Sequence, residues 1–349
     1  MLCTHKINVY LYQIKIYLQM KRENMLNHLL KIDYPIIMAP MFLVSNLEMM
    51  KAGMRSGIMA TFPTLNFRKE GELETVLDEL NTYSKLHTGS YGVNIIVQKS
   101  NPLSLKHTRI CLEKKVPFFI TSLGNPKDVV EGAHSYGGNV FCDVTNLTHA
   151  QKCAEVGCDG FIAVGQGAGG HAGPNPLQVL IPALKERFPS LPVVAAGGIT
   201  SGAGLLSVQV LGASGASIGT RFIASTEASV SDQYKKAILS SGMDDIVLTS
   251  KLSGTPCTVI NTETAKKMGY TQNWLEKWLS NNTRTKKWFK MIVQLRGMKK
   301  LEQSILPNNY LRLWTAGKSS ELIHDILPCE EIISRIKREY DQRLKEITS

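Results

Sequence analysis

The chain has no hydrophobic run long enough to cross a bilayer, because Lys and Arg interrupt every apolar stretch short of the ~18 residues a spanning helix needs. No membrane partner is expected. Its seven cysteines (Cys3, Cys111, Cys142, Cys153, Cys158, Cys257, Cys329) form no C-x-x-C pair and have no histidine cluster near them. That excludes a disulfide frame and a metal site, and reads as reduced thiols in the cytoplasm. The first 20 residues carry Lys6 and Lys15 and lack a small-residue cleavage site, so a secretory signal is not expected. Acidic residues are the scarce charge, 29 against 40 basic, and the resulting +11 favours anionic partners.

What is present suffices for a core: 43% of the 349 residues are hydrophobic and 20% charged, which excludes disorder as the whole story. The basic excess concentrates between Lys266 and Lys318, where only Glu276 and Glu302 oppose it and Trp274, Trp278, Trp288 and Phe289 are interleaved. Leu275 and Leu279 beside Trp274 and Trp278 give the three-to-four spacing of an amphipathic helix with a solvated basic face, so no nucleic-acid partner is expected.

From Pro35 onward, short apolar runs recur about every 20–30 residues, each followed by turn residues and a helical-period segment. Eight occur: Ile36–Pro40, Gly57–Phe62, Tyr91–Val97, Pro117–Ser122, Val140–Thr145, Gly160–Val164, Pro192–Ala196 and Ala216–Ile223. Runs apolar nearly throughout suit parallel strands buried on both faces. The spacers fit crossover helices, as in Leu73, Val76, Leu77 and Leu80, or Ala150, Cys153, Ala154 and Val156 with Gly157 placed to cap. The pattern predicts an α/β chain, a (β/α)8 TIM barrel over 31–224. A helical basic cap would follow at 225–310, and a C-terminal helical segment at 311–349 would pack on the barrel. Residues 1–30 read as a peripheral extension, with Met20 and Met25 as alternative starts.

Reactive groups in such a barrel sit at the strands' C-terminal ends. Those ends carry Ala39, Pro40 and Met41, then Asn94, Asp143, the run Gly165–Gly173, Gly197 and Gly198, and Gly219 with Thr220. Glycine ends on the seventh and eighth strands coincide with the phosphate site of these barrels, so Gly197, Gly198, Gly219 and Thr220 are expected to hold one phosphate. His171, in GQGAGGHAGP, has little packing reason to exist and is the expected general acid–base. The other histidines lie in polar contexts that suggest solvated side chains. Two motifs are set aside on context. Gly165-x-Gly167-x-x-Gly170 follows a sixth strand rather than opening a β-α-β unit, and Ser217 of Gly215-Ala-Ser-Ile-Gly219 sits inside a strand rather than at its exit.

The segments PIIMAPM (35–41), YGVNIIV (91–97), DGFIAVGQGAGGHAG (159–173), PVVAAGGI (192–199) and GASIGTRF (215–222) resemble nitronate monooxygenase, formerly 2-nitropropane dioxygenase, in order and spacing. The likeness covers about 32–261, with an echo in LWTAGK at 313–318. It implies an FMN flavoprotein that oxidises alkyl nitronates with molecular oxygen to carbonyl compounds and nitrite. Ala39, Pro40, Met41 and Asn94 would lie against the flavin, Gly169 and Gly170 beside its ring or ribityl chain, and Gly197, Gly198, Gly219 and Thr220 on its phosphate. His171 would be the catalytic base, and the partners a small anionic substrate and oxygen, with a homodimer as a candidate assembly. The chain departs from many relatives at Met38, at Val164–Gly167 and at SGTPCT (253–258), which bear on the substrate rather than the flavin. The resemblance extends to flavin-dependent enoyl-acyl-carrier-protein reductases, which use NAD(P)H.

Overall fold

In the computed structural model, residues 25–98, 101–252, 256–271, 293, 296, 297, 299–304 and 312–348 are described. Eight parallel strands close into a barrel: β1 (Ile36–Met38), β2 (Met59–Pro63), β3 (Ser90–Ile96), β4 (Phe118–Ser122), β5 (Asn139–Val144), β6 (Gly160–Val164), β7 (Val193–Ala196) and β8 (Gly215–Ile218). Each pairs with the next, and β8 closes on β1 through Ile36 opposite Ala216 and Ile37 opposite Ser217. The apolar runs thus become the expected strands, for the reason given by their composition: each has one face in the lumen and one under a helix. The helix Glu72–Ser84 buries Leu73, Val76, Leu77 and Leu80, the four residues its spacing marks. Among the described residues no helix is long and apolar enough to cross a membrane.

The eighth strand is shorter than expected. It stops at Ile218, and Thr220–Ile223 turn helical. Continued as a strand, the run would have to place the Arg221 charge beside the barrel; in the turn its guanidinium instead meets Asp325, with Nη2 2.5 Å from Oδ1. Burying the guanidinium against this half-exposed carboxylate is tolerable because Arg221 also donates to the Asp325 carbonyl at 3.0 Å.

The expected boundary at residue 30 also needs correction. The helix Met25–Leu30 is a plug rather than a peripheral extension: Leu26 and Leu30 are buried with Ile37, Met59, Phe118, Ile120, Phe141, Ile162 and Val194 in the barrel lumen. A Cβ on Gly215 would lie 2.6 Å from Leu26 Cδ2, so the plug seats directly on β8. Its pattern is too short to show amphipathicity unaided. His107, expected on a solvated face, is buried in its helix, and burial holds its imidazole below the ordinary value.

Between β8 and the last helix, Cys329–Thr348, the chain makes its excursion over the barrel. Ile332, Ile333, Ile336, Tyr340 and Leu344 of that helix are buried, and a Cβ on Gly202 would strike the Tyr340 backbone. The helix packs beside Gly202–Val210 and Leu47–Arg55, where the eighth crossover helix belongs. The excursion was expected to be helical. Its described part holds the helices Asp232–Ser240 and Glu263–Met268, but also an antiparallel pair, β9 (Ile246–Thr249) and β10 (Cys257–Ile260). The stretch bearing Trp274, Trp278, Trp288 and Phe289 lies outside the described residues.

Candidate active site

A cavity of about 1060 Å³ opens at the C-terminal ends of the barrel strands, and all the residues expected at the site line it: Ala39, Pro40, Met41, Asn94, Gly169, Gly170, His171, Gly197, Gly198, Gly219 and Thr220. They arrive from β1, β3, the loop after β6, β7 and β8, so only closure of the barrel brings them together.

The glycine end of β7 is required by space and by backbone conformation. Gly197 has φ +119° and a Cβ there would lie 2.6 Å from the Ala168 nitrogen, so the turn is pressed against the loop after β6. Gly198, at φ +76°, has no heavy atom within 4 Å of where its Cβ would be. That open position is a cradle a side chain would fill, next to Gly219 and Thr220, and it fits a phosphate approached by backbone. Thr220 contributes differently from the glycines. Its Oγ1 accepts the Gly317 N–H at 3.0 Å, which leaves the hydroxyl proton available to an anion. Gly317 itself was missed as a site residue. A Cβ on it would lie 2.5 Å from the Gly167 carbonyl oxygen, and one on Gly169 would lie 2.8 Å from the Gly317 nitrogen. The LWTAGK echo therefore marks a segment laid against the cradle. No local signal assigns it there.

His171 is held from the cap. Gly170 and His171 pair antiparallel with Thr258 and Cys257 of β10. Thr258 Oγ1 donates to the Ala168 carbonyl at 2.7 Å and lies 3.2 Å from that of Gly170. Sequence reasoning missed Thr258 because it stands 90 positions from Ala168. His171 is exposed to the cavity and yet surrounded by protein, whose weak solvation of charge holds the imidazole below its ordinary 6.5. The neutral ring, the form able to take a proton, therefore prevails at neutral pH.

Opposite, Asn94, Ser122 and Asp143 line the inner wall. Asn94 Nδ2 donates to the Ile120 carbonyl at 3.1 Å and to Ser122 Oγ at 2.8 Å, and Ser122 Oγ donates to Asp143 Oδ2 at 2.5 Å. Burial pushes the Asp143 carboxyl up to about 6, against the Ser122 hydrogen bond, which lowers it. Ser122 ends β4, and its contact with Asp143 on the neighbouring strand is visible only in the folded barrel. Cys257 and Cys142 are also on the cavity; burial pushes the Cys257 thiol up, and the Cys142 thiol, which a hydrogen bond with Cys153 lowers, is raised overall by one with Cys158 and by burial.

A closed barrel with glycine turns at the ends of β7 and β8 and a histidine-bearing loop at its mouth is a frame on which (β/α)8 flavin enzymes can be built. The nitronate monooxygenase family model matches residues 65–339, and the chain belongs to that family of flavin-dependent enzymes. A probable nitronate monooxygenase of Staphylococcus aureus is 29% identical over 293 residues, covering 71% of this chain and 81% of the relative. A (3aS,4S,5R,7aS)-5-hydroxy-7a-methyl-1-oxo-octahydro-1H-indene-4-carboxyl-CoA dehydrogenase of Mycobacterium tuberculosis is 26% identical over 251 residues, covering 71% and 69%. Among solved structures, FabK from Thermotoga maritima superposes with a TM-score of 0.78 at 27% identity, over 93% of this chain and 97% of the other. A nitroalkane oxidase from Streptomyces ansochromogenes shares the fold with a TM-score of 0.74 at 18% identity, over 93% and 100%.

Proposed function

We propose that the protein is an FMN-dependent nitronate monooxygenase, converting alkyl nitronates and molecular oxygen to carbonyl compounds and nitrite. The observation that carries this reading is the placement of His171: an imidazole facing a large cavity, on a loop braced against the glycine turn of β7. Among the described residues the site has one such glycine cradle and no second phosphate-binding turn, which favours FMN over a dinucleotide flavin. Gly197, Gly198, Gly219 and Thr220 would hold the phosphate, Gly169 and Gly170 the ribityl side, and Ala39, Pro40, Met41 and Asn94 the ring. When bound, the flavin supplies the electron transfer to oxygen. The protein's share is to orient the substrate anion with His171 and, for a neutral nitroalkane, to take the carbon-bound proton onto the imidazole.

A second reading, NAD(P)H-dependent reduction of an enoyl thioester, is favoured by the cavity's size, which stands at the top of the roughly 300–1,000 Å³ range of ligand sites and leaves room beyond a flavin. Relatives named FabK and a carboxyl-CoA dehydrogenase agree with a larger substrate. Oxygen uptake with propyl-2-nitronate, set against anaerobic NADPH and NADH oxidation with an enoyl thioester, decides between them. The first reading requires nitrite release with the nitronate; thioester-dependent nicotinamide oxidation without it would replace that reading by the second.

A further inference from the structure

Among the described residues four that are not glycine have a left-handed backbone: Lys31, Leu43, Lys115 and Leu123. The two lysines stand just past helix ends, where that conformation lets the next N–H close on a late carbonyl of the helix. Ile32 N–H reaches the Asn27 carbonyl at 3.1 Å, and Val116 N–H that of Cys111 at 3.0 Å. The two leucines have no such reason. Leu43 (φ +62°) and Leu123 (φ +60°) lie in the loops after β1 and β4, and both line the active-site cavity. A leucine held this way is strained, and glycine would relieve it. Packing does not offset the strain, since neither leucine joins the hydrophobic clusters formed by the described residues, and Leu123 is 39% exposed. The loop of Leu43 is nevertheless built to stay as it is. Asn66, after β2, accepts the Leu43 N–H on Oδ1 at 2.9 Å and donates through Nδ2 to the Met41 and Ser45 carbonyls at 3.1 and 2.8 Å. Backbone strain that neighbouring groups hold in place gathers where a ligand is contacted.

We propose that Leu43 and Leu123 are specificity-determining residues, and that the substrate carries an apolar chain of several carbons which lies against them. Phe42, Leu65 and Ile96 share the cavity lining and suit the same chain. The inference rests on the proposed function only for the head of that substrate, a nitronate; the chain is read from the leucines themselves. Leu43→Asn and Leu123→Asn keep nearly the same side-chain shape, tolerate the left-handed backbone and remove the apolar surface. Leu43→Met and Leu123→Met keep the surface.

The test titrates butanoate and octanoate, unreactive planar anions, into the full-length protein with FMN present, by calorimetry. Each methylene laid on the leucines should tighten binding by up to about fourfold, so the wild type should prefer octanoate by at least about tenfold. Each Asn variant should lose at least about threefold of that preference and melt no earlier than the wild type, and the Met variants should keep the preference. A wild type indifferent to chain length, or Asn variants that keep its preference, would overturn the assignment. So would Asn variants that melt several degrees earlier, which would make the leucines packing residues. Calorimetry needs no turnover, so a protein that prefers octanoate through these leucines yet releases no nitrite from a nitronate would lose the proposed function and keep this inference.

Discussion

Thr258 of the cap donates its hydroxyl to the Ala168 carbonyl at 2.7 Å, across 90 positions of sequence, and so ties β10 to the loop that carries His171. The loop's glycines allow its path but do not hold it there. Thr258→Val keeps the shape and removes the donor. Its turnover should fall by about threefold to tenfold, the loss of one hydrogen bond of roughly 1 kcal/mol at the site. Substrate KM should change less than kcat, and Thr258→Ser should recover most of the rate. Steady-state kinetics on the three proteins, each loaded with FMN, checks this; an unaltered valine variant would show that the pairing of Cys257 with His171 suffices by itself.

His171→Asn should keep bound flavin, because the cradle lies on β7 and β8. Turnover of a neutral nitroalkane should drop by about 10²–10⁴-fold, the usual contribution of a positioned base. The preformed nitronate has already lost that proton and should suffer far less. Equal losses on the two substrates would reduce His171 to a binding residue.

The pH dependence follows from the same side chain. Burial lowers the imidazole's pKa from 6.5, so the proton-accepting form persists on the acid side of neutrality and is lost only as pH falls through the lowered value. The acid limb of wild-type kcat/KM for the neutral nitroalkane should therefore have its midpoint below pH 6.5. The limb should be missing from the activity that remains in His171→Asn. A midpoint above pH 6.5 would contradict an imidazole whose protonation the surrounding protein disfavours.

Gly197→Ala and Gly198→Ala should separate strain from occupancy. Both backbones have positive φ, which costs an L-residue about 1–2 kcal/mol. At Gly197 the added Cβ would also collide with the Ala168 backbone, so that variant should melt earlier and lose flavin. At Gly198 the Cβ enters open space where the phosphate would rest. Its melting point should hardly move beyond the strain, while FMN affinity falls at least about tenfold, equivalent to roughly 1.4 kcal/mol. Titration with FMN and thermal melts of the apoproteins check the pair.

Leu26→Ala tests the plug. The side chain is fully buried in the lumen cluster, so its truncation should cost about 2–5 kcal/mol of stability. The site lies at the other end of the barrel, and FMN affinity should be unchanged in the folded fraction. Urea unfolding beside FMN titration measures the two separately.

Periodicity and glycine placement determine much of this protein by themselves. Runs such as Phe118–Ser122 and Val193–Ala196 are apolar on both faces, which only a doubly covered parallel sheet accommodates, and the recurrence of such runs sets the barrel. Because active groups in that barrel gather at the strand ends, His171, Asn94 and the glycines of β7 and β8 could be placed around one cavity without knowing any contact. The tertiary structure decided what depends on distant partners. Leu26 becomes a plug only because Gly215 leaves room for it, Gly317 joins the cradle only where Gly167 and Gly169 meet it, and Thr258 reaches Ala168 only after the cap folds back. Such contacts leave no period in a sequence, since each joins two segments whose own patterns are complete without the other. The direction of the Asn94, Ser122 and Asp143 chain was out of reach for the same reason: one backbone carbonyl on the neighbouring strand, Ile120, determines which way every proton in it points.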